Sequence, residues 1–212
     1  MDLFTAIVRG VPLTLGITAA SFTLGALLAL PLAAGLRARH RAARIPVRLV
    51  VDVVRGIPIL VWLFLLYFGL SVGAFRLDAV QAAVLTLGGV SAAYLAETYR
   101  GAVAAVDRGQ WEASRALALP RAAAFATVIA PQAARIALPT ATTFALTLLK
   151  DSSIPSVIGV TEVAFRTVEQ ARSTGQGLPA YGVAVALYIV ISVPVALLSR
   201  YLDHRLRKKV AR

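Results

Sequence analysis

Four stretches of this chain run without a charged residue for about the length of a bilayer crossing, and that pattern limits the fold more than any other feature. They are 10–36, 56–75, 79–96 and 173–199, bounded by Arg9 and Arg37, Arg55 and Arg76, Asp78 and Glu97, and Arg172 and Arg200. A crossing helix needs about 20 mostly apolar residues, because in lipid the backbone must satisfy its own hydrogen bonds. A fifth stretch, 122–149, is interrupted by Pro131, Arg135 and Pro139. With 58% hydrophobic and 15% charged residues, the composition excludes an ordinary soluble globule or a disordered chain.

Charge placement sets the expected topology. Short basic loops stay on the cytoplasmic side. Segment 37–48 holds Arg37, Arg39, Arg41, Arg44 and Arg48 with no acid, and the tail from Arg200 holds six basic residues against Asp203. If both lie inside, an odd number of crossings must fall between Arg121 and Arg172. The reading is an all-α integral membrane domain over 1–212 with five transmembrane helices, N-terminus outside and C-terminus cytoplasmic. The spans are 10–36, 56–75, 79–99, 133–150 and 178–200, with a cytoplasmic loop at 100–132. Sixteen of the 22 Lys+Arg then lie inside, so the net charge of +12 is an orientation signal toward membrane lipid and calls for no nucleic acid.

The first span has no basic start and no small-x-small cleavage site, which reads as a retained helix rather than a signal peptide. Its small residues Gly16, Ala20, Gly25 and Ala29 suit close helix packing, or simply reflect membrane composition. The chain has no cysteine, and His40 and His204 sit in arginine-rich runs where a metal would meet like charge. No metal site is expected.

Two segments outside the spans carry chemistry. In the inner loop, residues 108–117 read as a short helix, with Gly109 breaking the chain before it, Glu112 in its first turn and Pro120 after its end. Such a helix either rests on the membrane or docks in a partner's groove. On the outer side, 150–176 carries Lys150, Asp151, Glu162, Arg166, Glu169 and Arg172. Ionisable groups at this depth line aqueous routes or pair with one another, as Lys150 with Asp151 and Glu97 with Arg100. No phosphate-cradling loop, nucleophile elbow or metal-binding helix motif is present, so an energy source must come from outside the chain.

Residues Glu112, Ala113 and Ser114, followed by Ala118 and by Ile129, Ala130, Pro131 and Gln132, resemble the EAA loop of ABC importer membrane subunits. The run Val54-Arg55-Gly56-Ile57-Pro58-Ile59-Leu60-Val61, with Tyr67-Phe68-Gly69-Leu70, is similar to the second-span signature of the polar amino-acid permeases. Ala93-Tyr94-Leu95-Ala96-Glu97-Thr98-Tyr99-Arg100-Gly101 resembles their third-span exit. Leu148-Leu149-Lys150-Asp151-Ser152-Ser153, with Val157-Ile158-Gly159-Val160-Thr161-Glu162, resembles their fourth.

The resemblance implies the type I ABC importer (MetI-like) permease fold and a transport subunit that is not itself an enzyme. It implies a second permease subunit, identical or paralogous, an ABC ATPase dimer that binds ATP and Mg²⁺, and an extracytoplasmic amino-acid-binding protein. The chain itself holds no cofactor on this reading, and the cytoplasmic (inner) membrane of a prokaryote is its location. ATPase coupling would fall to Gly109, Trp111, Glu112, Ala113, Ser114 and Ala118, and the substrate route to Asp151, Ser152, Ser153, Glu162, Arg55 and Trp62, with Arg55 either meeting a carboxylate or anchoring the inner end of the second span. Glu162 and Asp151 lean toward a cationic amino acid. Two positions depart from the family pattern. Ala118 replaces a glycine, so the helix is expected to continue to Pro120, and Trp62 replaces a polar residue, giving a more aromatic route. An importer for another solute, a gradient-driven transporter and a membrane scaffold are the competing functions.

Overall fold

The computed structural model describes residues 2–69 and 76–210, with side chains as far as Tyr201. The last six residues expected in span 56–75 lie outside the described residues. So do the side chains of His204 and of the basic tail beyond Tyr201.

The described residues are helical almost throughout. A short helix α1 (Leu3–Val8) leads into α2 (Val11–Leu36), and α3 (Arg41–Gly56) is followed by α4 (Ile59–Phe64), which continues as a π-helical turn, Leu65–Gly69. Then come α5 (Ala79–Ala104), α6 (Arg108–Ala116), α7 (Arg121–Ala124), a π-helical turn Phe125–Ile129, α8 (Ala130–Asp151), a 3₁₀ turn Ile154–Ile158, α9 (Val163–Thr174) and α10 (Gly177–Val210). Four segments are long and apolar enough to cross a membrane: Leu3–Leu36, Ala79–Ala104, Arg121–Ile158 and Gly177–Tyr201. The α3–α4 pair, bent by 101°, makes a fifth if it is counted as one span.

Local chemistry explains the boundaries. Asp78 and Gln81 form a reciprocal capping box at the start of α5, the carboxylate accepting the Gln81 N–H at 2.8 Å and the amide accepting the Asp78 N–H at 3.1 Å. The α3–α4 break follows from Pro58, which lacks an N–H and pushes the preceding Ile57 into extended backbone (φ −99°, ψ 134°). Segment 37–48, expected as a basic loop, is helical from Arg41, and Gly56 ends this helix instead of opening the next. The expected loop 100–132 is also mostly helix: α5 runs on to Ala104, and α7 starts at Arg121.

The most extensive pairing joins α2 and α5. Every fourth residue of α2 from Ile17 is buried (Ile17, Ser21, Gly25, Ala29, Ala33), a stripe of one helical face. A methyl group on Gly25 would run into the Ser91 side chain, and one on Gly88 would lie 2.7 Å from Leu24. Of the four small residues that suit close helix packing, Gly25 and Ala29 are buried; Gly16 and Ala20 are exposed. Helix α8 packs on both α5 and α10, and it is between α5, α8 and α4 that the main site lies.

Candidate functional site

A cavity of about 280 Å³ opens between three helices. It is lined by Ile59 of α4, by Leu87, Val90, Ser91 and Tyr94 of α5, and by Phe144, Thr147, Leu148 and Asp151 of α8. Phe144, Thr147, Leu148 and Asp151 recur at three- and four-residue steps, so α8 presents one face to it. The half-buried Asp151 carboxylate accepts no hydrogen bond and forms no ion pair among the described residues; the expected Lys150–Asp151 bridge is not made. The charge that acts on it is the ammonium of the neighbouring exposed Lys150, which forms no bridge to it, and a carboxylate so placed in an apolar wall is costly unless a ligand supplies a partner. The Arg55 guanidinium lies 4.9 Å from the centroid of the Tyr94 ring, and Tyr94 stacks on Phe144 at 5.6 Å and 25°. Two rings and a carboxylate therefore face one small space, with the exposed Arg55 resting on the Tyr94 ring outside the lining.

The other residues expected on the route stand elsewhere. Ser152 is fully buried and its hydroxyl donates to the Leu149 carbonyl at 2.7 Å, while the Ser153 hydroxyl donates to that of Lys150 at 2.8 Å. Both hydroxyls close the last turn of α8, and neither residue lines the cavity. The Trp62 indole N–H donates to the Val54 carbonyl at 3.2 Å, bridging the α3–α4 break. Glu162 caps α9: its Oε2 accepts from the Ala164 N–H and its Oε1 from the Phe165 N–H, each at 2.8 Å, and the Tyr188 hydroxyl donates to Oε2 at 3.1 Å. Helix α2 closes over it, with the Val163 N–H donating to Thr14 Oγ1 at 3.2 Å. Glu162 is completely buried. Burial pushes its carboxyl above the usual glutamate range, against the pull of the two N–H groups and the Tyr188 and Thr14 hydroxyls. An acid enclosed in this way is a capping group and does not face a passing ammonium.

Reading from spacing alone missed Ser91, Tyr94, Phe144 and Thr147. The three- and four-residue steps leading back from Asp151 would have found the two on α8, and Tyr94 stood inside a recognised signature without being assigned.

A second site is the short helix α6. Asp107 is its N-cap, accepting the Gly109 N–H at 2.7 Å. Gly109 is thus inside the helix and Glu112 in its second turn, each one step further along than the sequence suggested. The buried Ser114 donates to Gln110 at 2.7 Å, and half-buried Trp111 packs against the cluster of Ala102, Val106, Ile129, Ala133 and Ala137. Gln132 donates to the Gln110 side chain at 3.0 Å, tying α6 to α8. The opposite face, with Arg108, Glu112, Ala113 and Arg115, is exposed. The helix stops at Ala116 instead of reaching Pro120. The Leu119 N–H returns to the Ser114 carbonyl and the Ala118 N–H to that of Arg115 (3.1 and 2.9 Å), a Schellman closure in which Ala118 takes φ +50°. That is the conformation a glycine would adopt most easily.

Residues 21–208 match the family described as binding-protein-dependent transport system inner membrane component. The chain belongs to that family. It is therefore the membrane permease of such a system and not an enzyme, working with a separate ATPase and a substrate-binding protein. Among similar proteins, the arginine ABC transporter permease ArtQ of Haemophilus influenzae is 34% identical over 85% of this permease and 84% of its own length. The L-cystine transport system permease TcyB of Bacillus subtilis is 31% identical over 96% and 87%. The solved structure of an amino acid ABC transporter with histidines superposes with a TM-score of 0.88 at 30% identity, covering 97% of this permease and 99% of that chain. The methionine transporter MetNI in an inward facing form shares the fold, with a TM-score of 0.81 at 21% identity.

Proposed function

We propose that this permease moves polar amino acids inward through a route that includes the Asp151 cavity, with five crossings, the N-terminus outside and the C-terminus in the cytoplasm. The bent α3–α4 pair counts as the second crossing, which keeps the basic residues at the start of α3 and after Arg200 on the inner side. Two copies, or one copy and a paralogue, surround the route, since five crossings are few to enclose one. The unpaired Asp151 carboxylate carries the reading: it offers the counter-charge an amino acid's ammonium needs, at a depth where a structural acid would have found a partner. Arg55, on the Tyr94 ring, is placed for the carboxylate of the same ligand.

Coupling runs through α6. Its inner face is fixed to α5 and α8 by the packing of Trp111 and by the Gln110–Gln132 bond, so a push on its exposed face moves the spans as a body. The ATPase partner binds ATP and Mg²⁺ and grips that exposed face. Relatives named as arginine, cystine and amino-acid permeases support the substrate class. The test is reconstitution with the ATPase and binding protein in liposomes. Asp151→Asn should lower amino-acid uptake by about tenfold or more while leaving the complex assembled, and Glu112→Lys should lower ATPase co-purification. Uptake by Asp151→Asn at the unaltered rate would refute the route.

A further inference from the structure

The charges around the cavity discriminate among amino acids. We infer that this permease carries a net-neutral amino acid, its ammonium at Asp151 and its carboxylate toward Arg55, and rejects those with a charged side chain; the inference rests on the amino-acid reading above.

Asp151 is the one acidic or basic residue of the lining. Each other acid that sequence or packing brings near is accounted for elsewhere. Glu162 is enclosed in the α9 cap. Glu97, three residues beyond Tyr94, bonds Arg100 at 2.6 Å and lies 3.6 Å from Arg48. Asp52, three residues before Arg55 on α3, is exposed and is not part of the lining. One carboxylate in the cavity thus matches one ammonium, while the two basic groups that adjoin it, Arg55 on the Tyr94 ring and Lys150 beside Asp151, lie outside the lining and suit one carboxylate.

The rest of the wall has nothing for a third charge. Leu87, Val90 and Leu148 are apolar, and the Ser91 hydroxyl is already donated to the Leu87 carbonyl at 2.6 Å. The Thr147 and Tyr94 hydroxyls remain. A cationic side chain would bring a second positive charge to a single carboxylate, with Arg55 repelling whichever is left over. An acidic side chain would bring a second negative charge against Asp151. Both lose their hydration without compensation. A neutral side chain, apolar or with one hydrogen-bonding group, meets neither penalty.

The experiment uses the permease–ATPase complex without its binding protein, so that selectivity belongs to the permease. Calorimetric titration with L-glutamine, L-leucine, L-arginine and L-glutamate should show at least one neutral probe binding about tenfold or more tightly than either charged one. Asp151→Asn should weaken that neutral probe by a similar factor. Thr147→Asp, which adds a second carboxylate to the wall, should shift the ratio toward arginine by about tenfold. Arginine or glutamate outbinding both neutral probes in the unaltered complex overturns the inference while leaving the amino-acid route in place. So does an unchanged arginine preference in a folded, ATP-hydrolysing Thr147→Asp complex. If none of the four binds and Asp151→Asn leaves uptake intact, the cavity reading falls as well.

Discussion

The Trp62 indole N–H donates to the Val54 carbonyl at 3.2 Å, across a chain bend of 101°. Val54 lies in the last turn of α3, where carbonyls have no helical N–H to accept. Pro58, which cannot donate, makes that shortage worse. Trp62 thus supplies a missing donor and fixes the angle between the two halves of the pair, a different task from the route-lining expected of it. Trp62→Phe keeps most of the packing and removes the donor. It should destabilise the purified permease by about 1 kcal/mol, seen as a lower apparent melting temperature, with Ile59 at the cavity less protected in methyl-labelled spectra. A melting temperature equal to that of the unaltered chain would mean the bond contributes nothing.

Long apolar runs are legible in the sequence because the requirement they meet is one-dimensional: a helix must span lipid. Helices α2, α5 and α10 start within a few residues of where the uncharged intervals do. What stays hidden depends on neighbours in space. Nothing along the chain separates Glu162, which caps α9 beneath Thr14 and Tyr188, from Asp151, which has no such donors; both are acids in an outer segment. The π-turn that joins α7 to α8 likewise turns an apparent loop into one 38-residue helical segment, Arg121–Ile158. Segment 37–48 reads as a loop when each arginine marks a boundary, yet Arg41, Arg44 and Arg48 share one stripe of α3.

Contact between α2 and α5 depends on residues too small to keep the backbones apart. Gly25 meets the side chain of Ser91 and the backbone of Gly88 and Ala92, the latter two at 3.0 and 3.2 Å from a hypothetical methyl group. Backbone cannot move aside as a flexible side chain can. Gly25→Val should therefore cost about 3 kcal/mol by overpacking and yield little monodisperse protein, whereas Gly16→Val, with open space around it, should purify normally. Equal yields for the two would contradict this packing.

The buried Glu162 makes stability depend on pH. Its carboxyl titrates above the usual glutamate range when folded, because burial outweighs its hydrogen bonds. The folded state then holds a proton that the unfolded chain has already released, so this contribution is complete below the unfolded value of about 4.3 and is lost as pH rises through the folded one. The unaltered permease should lose apparent melting temperature across that interval relative to Glu162→Gln, which cannot titrate but keeps an acceptor for the α9 cap. A difference between the two that stays constant with pH, or grows in favour of the unaltered chain, would mean that the α9 cap outweighs burial and holds the carboxyl ionised.

Ala118 is the one non-glycine residue with positive φ among the described residues, at +50°. An L-residue pays roughly 1–2 kcal/mol for that conformation, and here the Schellman bonds of Leu119 to Ser114 and Ala118 to Arg115 hold it. The strain lies at the end of the exposed helix proposed to meet the ATPase. Ala118→Gly relieves it but also frees the unfolded loop, so a net gain of about 1 kcal/mol is expected. Ala118→Val, with a branched side chain at positive φ, should lose more than that. Amide exchange over 108–119 reads both: protection of the Leu119 N–H should rise in the glycine variant and fall in the valine variant. Faster exchange in Ala118→Gly than in the unaltered chain would show that the left-handed turn is not where the loop stores its strain.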